Sequence, residues 1–166
     1  MRLFLALLAL LVAGNSLGAQ ASPPPPPEAG QFDFWIGDWE VFSPAGKKAG
    51  ENHIEKISAG WGLLENWTGA GGGIGKSLNT WLPERKQWRQ FWVGNGEAFE
   101  LTGGLNERRE MVLTGTTPTP AGGTQTERIT WTPNADGTVR QHWQQSADGG
   151  ATWTTAFDGR YRRKAR

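Results

Sequence analysis

The sequence predicts an all-β fold: one domain of about ten short antiparallel strands, arranged as a closed barrel or a sandwich. Three observations carry this. Short runs rich in aromatic and β-branched residues are broken by turn signals and show no sustained 3.6-residue period. The 24 glycines cluster between those runs, at Gly69 to Gly75, Gly103-Gly104 and Gly122-Gly123. The stretch from about residue 30 to 166 is the size of a single domain.

In chain order, residues 1–21 read as a secretory signal peptide. Arg2 forms the positive start, Leu3 to Ala13 the apolar stretch and Ala19-Gln20-Ala21 the cleavage site, so a secreted or periplasmic protein beginning after Ala21 is expected. The apolar stretch falls short of the roughly 20 residues that span a bilayer, and no integral membrane association is expected. Residues 22–30 form a linker. Its five prolines, Pro23 to Pro27, favour an extended polyproline II spacer. Gln31 to Ile36 reads as a helical turn that opens the domain, which covers residues 31–166. The strands then read as Trp39 to Phe42, Asn52 to Ala59, Gly62 to Thr68, Lys76 to Leu82, Gln87 to Val93, Ala98 to Thr102, Met111 to Gly115, Thr126 to Thr132, Thr138 to Ser146 and Thr152 to Arg163.

Composition excludes several classes. Cysteine is absent, which removes disulfides, thiol catalysis, thiolate metal sites and a lipoprotein anchor. Stability must then come from packing, for which ten Trp and seven Phe are available. Once Arg2 leaves with the signal, 16 basic residues balance 16 acidic ones, so nothing favours nucleic acid or an anionic membrane. The basic end, Arg160 to Arg166, reads as a solvated last strand and tail.

Ser146 to Trp153, SADGGATW, fits the S-x-D-x-G-x-T-W Asp-box of sialidases and other propellers. One copy cannot build a propeller of several blades. Mechanically it is a turn staple, with Asp148, Gly149 and Gly150 in the turn and Trp153 packing back on a hairpin. A second local design occurs twice: Trp81-Leu-Pro83 before Arg89-Gln90-Phe91-Trp92, and Trp131-Thr-Pro133 before Arg140-Gln141-His142-Trp143.

Strand alternation groups side chains by face. Trp88, Gln90 and Trp92 share one; so do Gln141 and Trp143, Glu65 and Trp67, and Asn79 and Trp81. If these faces are internal, polar residues among tryptophans imply a wet or ligand-holding cavity, because buried polar groups need partners. If Leu78, Phe91 and Val93 are internal instead, the polar set is solvated surface. Alternation alone leaves both arrangements open.

The opening Phe32-Asp33-Phe34-Trp35-Ile36-Gly37-Asp38-Trp39-Glu40 contains the G-x-W found on the first strand of lipocalin-like (calycin) barrels. Together with Glu65-Asn66-Trp67-Thr68-Gly69, the R-Q-H-W and the Asp-box, it resembles a family of secreted bacterial proteins of unknown function, over about Phe32 to Arg163. The resemblance implies a single antiparallel up-and-down barrel of about 8–10 strands and brings no assigned activity. Lipocalin-like barrels hold small apolar ligands at the mouth, and the nitrobindin-like relatives hold haem through one histidine. Neither the lipocalin disulfide nor that C-terminal histidine has a counterpart here.

His53 and His142 lack metal-ligand spacing, and neither a metal nor a cofactor is expected. Ser77, His142 and Asp158 could form a triad on paper, but Gly75-Lys76-Ser77-Leu78-Asn79 lacks the final glycine of a nucleophile elbow. Glu65 with Glu97 or Glu127 could supply paired carboxylates. Gly71 to Gly75 reads as a rim loop and not a phosphate cradle. The expected function is non-catalytic binding of a small hydrophobic or amphipathic molecule by Glu65, Trp67, Asn79, Trp81, Gln90, Trp92, Gln141 and Trp143. Two other readings stand beside it: a cell-envelope enzyme using a buried Glu65 as acid or base, and a structural or interaction domain with a filled core.

Overall fold

The computed structural model describes residues 23–165. The expected signal peptide, residues 1–21, lies outside them. Ten strands follow: β1 (Gly37–Phe42), β2 (Lys48–Ile57), β3 (Gly62–Gly69), β4 (Ile74–Leu82), β5 (Gln87–Gly94), β6 (Ala98–Leu105), β7 (Met111–Pro118), β8 (Thr124–Pro133), β9 (Val139–Ser146) and β10 (Thr154–Arg163). Each pairs antiparallel with the next, and β10 returns to β1, closing an up-and-down barrel. Of the barrel and sandwich arrangements open to the sequence, the barrel is the one formed. No helix among the described residues is long and apolar enough to cross a membrane.

Five of the hairpin turns share one hydrogen-bond scheme, starting at Ser43, Gly69, Asn106, Thr119 and Asn134. In each, the first residue donates to the carbonyl four positions on, and the fourth position adopts positive φ. Glycine fills that position in four turns (Gly46, Gly72, Gly122, Gly137), as the left-handed conformation favours, and Arg109 fills it in the fifth.

Three strands extend at one end by more than two residues beyond what the sequence indicates. β2 starts at Lys48, β6 continues through Gly103 and Gly104, and β7 reaches Pro118. Gly103 reads as a loop residue from its type, yet a Cβ there would sit 2.1 Å from the Val112 carbonyl oxygen. It marks a close approach of two backbones, which is the other reason for glycine inside a strand.

The expected helical turn, Gln31 to Ile36, contains one 3-10 turn, Asp33–Trp35, and a second, Pro27–Gly30, forms within the stretch expected to be linker. Together they plug the bottom of the barrel. Phe32 stacks on Trp35 with ring centroids 4.9 Å apart and meets Trp88 and Trp131 edge-on at 5.7 and 5.2 Å. Trp39 donates from Nε1 to the Trp35 carbonyl at 2.8 Å, and the Arg163 guanidinium lies 4.3 Å over the Trp39 ring. Lys56 pairs with Asp33 at 2.6 Å and holds the plug to β2. The proline segment before it has no helix or strand up to Pro26, yet it is not held away from the domain: Trp61 donates to the Pro23 carbonyl at 3.3 Å, and Ala29 is buried.

This plug decides which face is internal. Docking Phe32 and Trp35 onto Trp88 and Trp131 fixes the Trp face of β5 and β8 inside. Alternation then turns Leu78, Phe91 and Val93 outward, together with Ile74, all four exposed.

Candidate functional site

From bottom to mouth the interior has three levels, about two residues, or roughly 6–7 Å, apart along each strand. The lowest is apolar: Leu63, Trp81, Trp88, Met111, Trp131 and Val139 pack against the plug. The middle level is a belt of buried polar groups: Asn52, Glu65, Ser77, Asn79 and Gln90. At the mouth stand the aromatic rings of Trp67, Trp92, Phe99, Trp143 and Phe157.

The polar belt is a directed hydrogen-bond chain. Gln90 Nε2 donates to Asn79 Oδ1 at 2.8 Å, and Asn79 Nδ2 donates to Ser77 Oγ at 2.9 Å. With its oxygen engaged, Ser77 gives its proton to Glu65 Oε2 at 2.6 Å. From the other side Asn52 Nδ2 donates to Glu65 Oε1 at 2.7 Å and to the Tyr161 hydroxyl at 3.1 Å, and Tyr161 donates to Gln141. Glu65 is therefore where donors converge from two sides. Burial, opposed by the bonds from Ser77 and Asn52, pushes its carboxyl up to about 7. Burial also raises the Tyr161 hydroxyl well above its ordinary value, with the Glu65 charge adding to the effect.

Above the belt, two aromatic pairs reach across the lumen. Trp67 on β3 meets Phe157 on β10 at 6.0 Å, although β2 and β1 separate their strands. Phe99 on β6 meets Trp143 on β9 at 5.4 Å, across β7 and β8. Glycines make room for the rings. A Cβ at Gly50 would fall 2.6 Å from the Trp67 ring, and one at Gly75 would fall 2.1 Å from that of Trp92. A β-bulge between Thr155 and Phe157 turns the successive residues Ala156 and Phe157 both toward the lumen. These rings, with Glu65, Gln90, Gln141 and Tyr161 beneath them, bound a cavity of about 220 Å³.

Of the eight residues expected to bind ligand, six line this cavity: Glu65, Trp67, Gln90, Trp92, Gln141 and Trp143. The other two are internal but do not line it. Asn79 links Gln90 to Ser77 within the belt, and Trp81 packs on Trp88 at the bottom, centroids 6.5 Å apart. The sequence reading did not single out Phe99, Ile129, Phe157 and Tyr161 in the lining, nor Asn52 in the belt. Alternation from Leu101 and Tyr161 could have supplied Phe99 and, in spite of the bulge, Phe157.

Glu127 forms a separate knot behind the collar. It accepts from Thr117 Oγ1 at 2.6 Å, Gln125 Nε2 at 2.9 Å and Trp143 Nε1 at 2.5 Å, and so fixes the Trp143 ring. Glu97, exposed at the rim, accepts from Trp92 Nε1 at 3.3 Å. Glu65 and Glu97 share the cavity, whereas Glu127 does not line it.

The remaining sequence candidates lie elsewhere. Ser77 is internal, but His142 and Asp158 face outward, where Asp158 forms a bidentate pair with Arg140 at 2.8 and 2.7 Å; the triad cannot assemble. His142, 3.0 Å from Thr155 Oγ1 on the outer face, is not placed to reach a haem in the lumen. His53 pairs with Asp38 at 2.6 Å, also outside. The glycine-rich segment after β3 is a mouth turn in which Gly69 donates to the Gly73 carbonyl at 2.7 Å.

The Asp-box is the staple that its residues indicate. Gly150 N–H donates to Ser146 Oγ at 2.8 Å, Thr152 N–H and Oγ1 donate to the Asp148 carboxylate at 2.9 and 2.6 Å, and Trp153 caps the Gly150 carbonyl at 2.9 Å. Those bonds, led by the Thr152 hydroxyl, hold the Asp148 carboxyl well below its usual range. The duplicated hairpins agree in facing, with Gln90 and Gln141 inside and Trp92 and Trp143 at the mouth. Their registers differ, since Gln90 pairs with Asn79 and Gln141 with Trp131.

No family model matches the chain, and no curated protein matches it. The closed ten-strand barrel is compatible with the lipocalin-like resemblance of the opening segment.

Proposed function

We propose that the protein is a secreted or periplasmic barrel that binds a small amphipathic molecule at its mouth without transforming it. The observation that carries this reading is the cavity of about 220 Å³ between the aromatic collar and the polar belt. Its walls offer ring surface and its base offers amide, hydroxyl and carboxyl groups, the mixture that fixes a ligand apolar at one end and polar at the other. The signal-like residues 1–21 and the resemblance to secreted bacterial barrels support the location.

The test is a titration of the purified protein with 1-naphthylmethanol, followed by tryptophan fluorescence and by native mass spectrometry. A saturable change with one molecule bound, weakened in Trp92→Ala and Trp143→Ala, is the expected outcome. No saturable change with this alcohol or with its amine and carboxylate counterparts overturns the reading in favour of a structural barrel.

A second reading rests on Glu65 alone. A buried carboxyl with its pKa near 7 matches a general acid or base. Conversion of a bound molecule by the wild type and not by Glu65→Gln would replace the binder with an enzyme.

A further inference from the structure

We infer that the mouth cavity selects organic cations: its ligand is a small aromatic or apolar amine whose ammonium group rests against Glu65. The inference deepens the binding function proposed above and rests on it. Charge is its first support. The residues lining the cavity include two carboxylates, Glu65 and Glu97, and no Lys, Arg or His. The acidic groups in ion pairs lie at the barrel's outer surface and ends, as in Glu40 with Lys48 and Asp158 with Arg140, and Glu65 belongs to none of those pairs. A buried carboxylate without a counterion is costly, and either a proton or a ligand cation relieves that cost.

The direction of the hydrogen bonds favours the ligand cation. Ser77 accepts from Asn79 at 2.9 Å, so its own proton is committed to Glu65; Asn52 commits an amide proton to the other oxygen. Both oxygens thus receive donors, the arrangement suited to an anion. Each still has a lone pair with which to accept from an ammonium group.

The collar adds the second support. The indole N–H groups of Trp92 and Trp143 are taken by Glu97 and Glu127, so these two rings present carbon and π surface to a ligand. Aromatic faces attract cations, most strongly where water is excluded. Glu97 places a further negative charge at the entrance, where it draws cations in and repels anions.

The experiment compares three ligands with one ring system by isothermal titration calorimetry: 1-naphthylmethylamine, 1-naphthylmethanol and 1-naphthylacetate. The amine is expected to bind about tenfold or more tighter than the alcohol, and the acetate weakest. In Glu65→Gln the amine-to-alcohol ratio should fall to about two, the share left by Glu97. Glu97→Gln changes an exposed rim residue and should lower the ratio by a smaller factor, about twofold, which keeps the test decisive if Glu65→Gln does not fold. An alcohol as tight as the amine, an acetate tighter than either, or a ratio that survives Glu65→Gln overturns the cation inference while leaving the binding function in place. Failure of all three ligands to bind overturns both.

Discussion

The two ends of the barrel lumen are built from the same strands and the same alternation, yet they treat polarity in opposite ways. At the bottom the Phe32–Trp35 plug fills the space with rings, and the Nε1 groups of Trp35 and Trp131 are buried without a hydrogen-bond partner. Two indole donors are left unsatisfied there in exchange for close packing. Toward the mouth no segment among the described residues enters the lumen. Its polar side chains are bonded to one another around Glu65, with Asn52 Oδ1 left without a partner, and space remains above them. A barrel this narrow needs an inserted element to become a solid core, and the described residues supply one at the bottom.

The largest expected effect lies at the bottom. Trp35→Ala should cost about 3–5 kcal/mol of stability, because a fully buried ring leaves a cavity that the barrel cannot close. Its counterpart at the mouth, Trp92→Ala, should cost less than about 1.5 kcal/mol and should instead weaken the naphthyl ligands. Urea unfolding of both variants breaks the comparison if their costs are equal.

Next in size is the pH dependence of the belt. The Glu65 carboxyl rises from an ordinary 4.5 to about 7 in the folded state, so between these values the native protein holds a proton that the unfolded chain releases. Stability is therefore greatest below about pH 4.5 as far as this group is concerned, falls as pH rises to about 7 and then levels off, a change of about 3 kcal/mol. Glu65→Gln should flatten that part of the profile, measured by urea midpoints across the range.

Smaller effects belong to the turns. Arg109→Gly should raise stability by about 0.5–1 kcal/mol, since glycine adopts the left-handed conformation without the strain of a Cβ. Asp148→Ala should lower the unfolding midpoint modestly by loosening the Asp-box turn and should leave ligand affinity unchanged. Loss of binding in Asp148→Ala would mean that the turn shapes the mouth.

Much of the fold is legible in the sequence, because each hairpin carries its own turn chemistry and each strand its own alternation. Thus Glu65 with Trp67 and Gln90 with Trp92 could be placed on shared faces before their surroundings were known. What alternation could not supply was the sign of the face, since Leu78, Phe91 and Val93 are as apolar as any core set. That choice is made by Phe32 and Trp35, which come from outside the strands. Nor could it show which polar residues meet. The partners of Glu127 come from three strands, and Tyr161 reaches Asn52 across 109 positions of sequence. Gly50 and Gly75 did carry a signal of the collar. They interrupt inward-facing positions beside a tryptophan, where a large ring needs a neighbour without a side chain.

The most direct test of a ligand-binding mouth is a crystal structure of the protein with 1-naphthylmethanol, because the molecule offers the ring two apolar places. One is the mouth cavity; the other is the outer groove lined by Leu64, Ile74, Leu78, Phe91 and Val93. Density for the naphthyl ring between Trp67, Trp92 and Trp143, with its hydroxyl toward Glu65, is the predicted result. A ring seated only on the outer groove, with the mouth collapsed or holding water alone, would contradict it.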